Sequence, residues 1–115
     1  MPLRALGVDR PLADVKADLF KALAHPVRVR VLELLVDQDR QVSELLTELG
    51  LEASLLSQHL AVLRRSGVVT ASRTGNAVQY ALALPAVADM LSAARAVLVD
   101  AAARRQDLLA LEAHP

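Results

Sequence analysis

The stretch Ser43-Glu44-Leu45-Leu46-Thr47-Glu48-Leu49-Gly50-Leu51-Glu52-Ala53-Ser54-Leu55-Leu56-Ser57-Gln58-His59-Leu60-Ala61-Val62-Leu63-Arg64-Arg65-Ser66-Gly67 reads as two short helices around a turn. Ser43 is expected to cap the first helix, with Glu44 in its first turn favoured by the helix dipole. Gly50 ends that helix, as glycine does at the left-handed position after a last turn. The second helix is expected over residues 52–66. Its inward stripe is Leu56, Leu60 and Leu63, at spacings of four and three, and Gly67 closes it. Joined at Gly50-Leu51, the pair makes a helix-turn-helix pattern.

Upstream, residues 12–23 carry Leu12, Val15, Leu19, Phe20 and Leu23 at the spacing of one helical stripe. Ala24-His25-Pro26 breaks that helix, because a residue before proline avoids the helical region and proline suits a first turn. A second helix is expected over 26–36, with Val29, Val31, Leu32, Leu35 and Val36 inward. Asp37-Gln38-Asp39-Arg40 reads as a polar turn. Residues 1–11 read as an irregular arm, and residues 12–112 as one domain.

Downstream come two β-like runs. Val68, Val69 and Thr70 open the first, and Val78, Tyr80 and Leu82 alternate along the second. Thr74-Gly75-Asn76 supplies turn chemistry between them, Gly and Asn both tolerating positive φ. Pro85 then opens a long helix that runs to Arg105 or as far as Leu111, with Val87, Leu91, Ala94, Leu98 and Ala101 repeating at four and three. The order is helix, helix, helix-turn-helix, hairpin, long helix. The expected fold is therefore mainly α with a small β-hairpin, a winged helix-turn-helix with a further helix at either end.

More than half of the 115 residues are apolar, yet Phe20 and Tyr80 are the sole aromatics. So much aliphatic surface on a short chain points to burial against a second copy. The last helix supplies the candidates for that contact: Val87, Leu91, Ala94, Leu98 and Ala101. Cysteine is absent, which removes disulfides, thiolate ligands and thiol switches and fits a reducing cytoplasm. No secretory leader or membrane-length apolar run is present, so no membrane role is expected.

Net charge is zero, but its distribution is uneven. Residues 53–88 hold no acid and three arginines, Arg64, Arg65 and Arg73, so +3 there is balanced by −3 elsewhere. A basic face on a neutral protein suits an acidic polymer. A B-DNA major groove admits one α-helix, and the second helix of the motif enters it. Opposite its leucine stripe that helix carries Ser54, Ser57, Gln58, Ala61 and Arg65. Gln58 is a candidate adenine reader, Ser54 and Ser57 can serve several bases, and Arg64 and Arg65 suit the phosphate backbone. Arg73 and Asn76 beside the hairpin turn are placed for an adjacent groove or phosphate. His59 lies beside the core stripe, where packing or a phosphate contact is expected.

These residues resemble the ArsR/SmtB family of bacterial winged-helix transcription regulators. The similarity runs through Phe20-Lys21-Ala22-Leu23-Ala24-His25-Pro26-Val27-Arg28, Val31-Leu32-Glu33-Leu34-Leu35 and Val42-Ser43-Glu44-Leu45. Its strongest part is Ser57-Gln58-His59-Leu60-Ala61-Val62-Leu63-Arg64-Arg65-Ser66-Gly67-Val68-Val69, and Arg73-Thr74-Gly75-Asn76 with Tyr80 completes it. The resemblance implies a homodimer on double-stranded operator DNA, most simply a repressor, with Ser54, Ser57, Gln58 and the Arg73 wing touching the duplex, and with the first and last helices building the twofold contact, Leu19 and Phe20 on the first. The effector sites of the family are not matched. Where relatives carry a cysteine pair on the third helix, this chain reads Ser43-Glu44-Leu45-Leu46-Thr47-Glu48. On the last helix Asp89 begins a ligand pattern, but Leu91 stands where a histidine is expected, and Ala102 and Arg105 fill the later positions.

No cofactor is therefore expected. One alternative is a nitrogen–oxygen site for nickel or zinc from Asp89, Asp100, Glu112 and His114. Another is a winged-helix module that binds an effector or partner protein instead of DNA. His25, at a helix junction, reads as structural, and Asp37 with Asp39 as a solvated loop. No nucleophile–base order or glycine-rich phosphate loop is present, so an enzyme is not expected.

Overall fold

A computed structural model describes residues 9–113, and among them five helices surround a small sheet. The elements are α1 (Leu12–Leu23), α2 (Pro26–Asp37), β1 (Arg40–Gln41), α3 (Val42–Leu49), α4 (Ala53–Arg65), β2 (Val69–Thr74), β3 (Ala77–Leu82) and α5 (Pro85–Ala113). Most of the expected arm, residues 1–8, lies outside the described residues, as do His114 and Pro115.

The α1–α2 break forms as the sequence requires. Pro26 takes the first position of α2, where its missing N–H costs nothing, and extended His25 caps it. The His25 Nδ1 accepts from the Val27 backbone N–H at 3.1 Å. At the far end of α2, Arg40 takes the place of a capping glycine. Its Nε donates to the Leu34 carbonyl at 3.4 Å and its Nη2 to Asp37 Oδ2 at 3.3 Å. A cation there complements the negative end of the helix dipole.

Arg40, expected to end a polar turn, is strand together with Gln41. They pair antiparallel with Tyr80 and Gln79, giving a three-stranded sheet in the order β1-β3-β2. The hairpin pairs Val69 with Leu82 through Thr74 with Ala77, six residues a side. Its loop is the two residues Gly75-Asn76. Gly75 alone takes positive φ, +61°, and Asn76 does not. Glycine at the first central position with an ordinary second residue is the type II′ arrangement that matches strand twist.

Two further expectations are corrected. Ser43 lies inside α3, which begins at Val42 after Gln41. The Gln41 N–H donates to Glu44 Oε1 at 3.0 Å, so the helix starts two residues earlier than a serine cap implies. Val36 is exposed rather than inward, since the α2 stripe ends at Leu35. Gly50 does end α3, with φ +64°.

The core gathers Val31, Leu32 and Leu35 from α2, Leu45 from α3, and Leu56, Leu60 and Leu63 from α4. Val68, Val69, Tyr80 and Val87 close it, and Leu19, Leu23 and Leu91 pack on its margin. Val87 thus belongs to the interior of its own chain and not to a surface that a second copy could reach. Beyond Leu91, the described side chains of α5 are exposed through Leu111. Phe20, Ala94, Leu98 and Ala101 are exposed as well, while Leu19 and Leu91 are shared with the core margin.

Candidate nucleic-acid interface

The placement of α4 follows from its leucines. Leu56 and Leu63 are fully buried and Leu60 nearly so, which pins one face against α2 and the sheet. Helical geometry then forces the opposite face outward. Ser54, Ser57, Gln58, Arg64 and Arg65 are all exposed, and Ala61 is half-buried. Basic residues in the last turn also suit the negative end of the helix dipole.

The wing closes one side of this face. Between α4 and the hairpin lies a groove of about 400 Å³ whose lining includes Ser57, Arg64, Ser72, Arg73 and Tyr80. Arg64 and Arg73 therefore reach one concavity from two elements, although nine residues separate them in sequence. Asn76 stands exposed at the wing tip. Ser72 was not singled out from sequence, and a strict reading of alternation along β2 would not have found it, because every β2 residue after Val69 is exposed.

Charge is unevenly distributed along the chain. Residues 53–88 hold three arginines and no acid, whereas residues 33–52 hold six acids and Arg40 alone as a base. Acid-rich segments repel a polyanion and the acid-free segment does not, so this distribution along the chain favours contact through α4 and the wing.

His59 is corrected. Its side chain is 9% exposed, and its ring lies 4.3 Å from that of His25, tilted by 45°. It packs between α4 and the α1–α2 junction and is not displayed with Gln58. Burial holds the imidazole below its ordinary titration range, with His25 and Arg28 acting in the same direction. Arg28 Nε is itself buried, with no hydrogen-bond acceptor among the described residues.

Among the described residues no three His, Cys, Asp or Glu side chains converge to hold a metal ion. Asp89 and Asp100 lie eleven residues apart on α5, about 16 Å along the axis, so they cannot share an ion within one chain. His114 lies outside the described residues. No described helix is long and apolar enough to cross a membrane.

A helix-turn-helix whose second helix is held out by a buried leucine stripe, flanked by a basic wing, defines a winged-helix DNA-binding regulator. Comparison with known proteins gives the same class. Residues 25–71 match the profile of the bacterial regulatory protein, arsR family. The chain is 58% identical over 89 residues to Rv0081, an uncharacterized HTH-type transcriptional regulator of Mycobacterium tuberculosis, covering 76% of this chain and 78% of that one. The crystal structure of Rv0081 superposes with a TM-score of 0.79 at 54% identity, covering 84% of this chain and 98% of that one. The M. tuberculosis transcriptional repressor SmtB is 42% identical over 74 residues, 64% of this chain and 55% of the repressor. A homodimeric winged helix-turn-helix DNA-binding domain from Mycobacterium bovis, Mb0332, described as a possible ArsR-family regulator, gives a TM-score of 0.73. It is 29% identical and covers 87% of this chain and 88% of that one. The chain belongs to the arsR family of bacterial regulatory proteins, DNA-binding transcription regulators and not enzymes.

Proposed function

We propose that this chain acts in the cytoplasm as a homodimeric repressor that occupies a pseudo-palindromic operator. Each α4 enters a major groove, and the half-sites lie about one helical turn apart. Ser54, Ser57 and Gln58 meet base edges, while Arg64, Arg65 and the wing residues Arg73 and Asn76 hold the phosphate backbone. The observation that carries this reading is the shared groove: Ser57 and Arg64 of α4 and Arg73 of the wing line one concavity whose lining holds no Asp or Glu.

Dimerisation supplies the second half-site. Phe20 on α1 and Leu98 on α5 are 60% and 70% exposed in the single chain, and Val97, Leu108 and Leu111 of α5 are exposed too. Apolar surface of that extent on two terminal helices fits pairing with an identical copy. That the similar Mb0332 domain is homodimeric supports pairing with an identical copy. The reading needs no cofactor.

Fluorescence anisotropy of the full chain against genomic fragments from its own locus tests the proposal. Expected are site-selective binding by a dimer and a linear fall of log affinity with log salt, as released counterions require. Equal affinity for every duplex, or binding with no salt dependence, would count against it.

A further inference from the structure

Leu55 is the one large apolar side chain in the first two turns of α4 that the core does not take. It is 41% exposed, and apart from buried Leu56 and His59 every residue from 53 to 59 is exposed with it. Helical geometry puts Leu55 next to Gln58, three residues on and about 4.5 Å further along the axis. Val62, on the same stripe two turns later, half-buries itself in a cavity with Val15, Leu19 and Ala22 of α1, but Leu55 does not line that cavity. The intramolecular packing that claims the rest of its stripe therefore stops short of it.

A leucine offers no donor or acceptor to a base edge. In the major groove its one chemical complement is the C5-methyl group of thymine. Resting on the reading of α4 as the groove-entering helix, we propose that Leu55 is a specificity-determining residue that packs on a thymine methyl in each half-site. That thymine lies within one or two base steps of the pair read by Gln58, because the axial separation of the two side chains is comparable to base stacking. The contact favours thymine over cytosine at that position by shape rather than by hydrogen bonding.

Replacing thymine by deoxyuridine removes that methyl and nothing else, so it isolates the contact. A tight duplex is first selected from a random-sequence library with the wild-type chain. Each thymine is then changed in turn to deoxyuridine, and affinity is measured by anisotropy for wild type and Leu55→Ala. Losing one buried methyl corresponds to about a fourfold loss per half-site. The expected result is one thymine per half-site whose replacement weakens wild type by about that factor and leaves Leu55→Ala unchanged, with sedimentation showing both proteins equally dimeric. Two results overturn it while leaving the DNA-binding reading intact: no deoxyuridine substitution separates the two proteins, or Leu55→Ala lowers the dimer fraction while showing the wild-type thymine profile. Failure to select any duplex overturns the underlying reading, and this inference with it.

Discussion

The ring of His25 lies 4.3 Å from the ring of His59, and the same His25 caps α2 through its Nδ1. One side chain thus ties the start of α2 to the middle of α4. His59 is buried and favours its neutral form, so it titrates below the 6.5 of a free imidazole. In the unfolded chain the proton binds at the ordinary value. The stability contributed by neutral His59 is therefore complete above pH 6.5 and is lost as pH falls from there through the lowered folded value. Thermal melting from pH 8 to pH 5 should show wild type losing stability below about pH 6.5, and His59→Leu losing measurably less over the same span. Parallel curves for the two proteins would remove His59 as the source.

Removing the cap isolates the other half of that contact. His25→Ala deletes the acceptor for the Val27 N–H and the ring that covers His59, so a loss of about 1 kcal/mol from the cap alone is expected in denaturant melts. His25→Asn, which can still cap, should recover part of it.

Core leucines on α4 should behave unlike their outward neighbours. Leu56→Ala and Leu63→Ala empty fully buried sites and should each cost about 2–5 kcal/mol of stability. Ser57→Ala and Gln58→Ala, both exposed, should leave the melting curve nearly unchanged and instead relax base selectivity, with about 1–3 kcal/mol lost for a bidentate base contact.

The long helix divides at Leu91 into a part that serves its own chain and a part that does not. Leu98→Asp should therefore yield a folded monomer by sedimentation, since Leu98 is exposed in the single chain. Val87→Asp should unfold the protein, since Val87 is in the core and an unpaired carboxylate there is costly. Identical behaviour of the two variants would contradict the division.

Phosphate-contacting arginines carry affinity without sequence information. Arg64→Ala, Arg65→Ala and Arg73→Ala should each weaken binding to selected and random duplexes alike. Each should also make the salt dependence shallower, by about one unit of slope for every phosphate left without its arginine in the dimer. A variant that changed selectivity with the salt slope intact would move that arginine to a base edge.

The core of the helix-turn-helix was legible because a buried helical stripe writes itself directly as leucines at spacings of four and three. Leu56, Leu60 and Leu63 face inward as that spacing requires. The wing was legible because a two-residue hairpin loop needs glycine at positive φ. Periodicity fails where it cannot identify the partner. The repeat through Val87, Leu91, Ala94 and Leu98 is unbroken, yet the core claims Val87, takes Leu91 on its margin and leaves Ala94 and Leu98 exposed. Strand β1 has two residues, too few to show alternation, and exists because β3 pairs with it from a distant part of the chain. His59 was ambiguous for a similar reason: an imidazole suits a phosphate or an interior, and the choice fell to His25 across the fold.

The most direct test of the groove-entering role of α4 is one comparison of dimer mass and duplex selectivity in the triple variant Ser54→Ala, Ser57→Ala, Gln58→Ala. Expected is a dimer of unchanged mass and melting temperature that loses most of its preference for the selected duplex over a random one. A variant that remains dimeric and still prefers the selected duplex as strongly as wild type does would show that another surface reads the DNA.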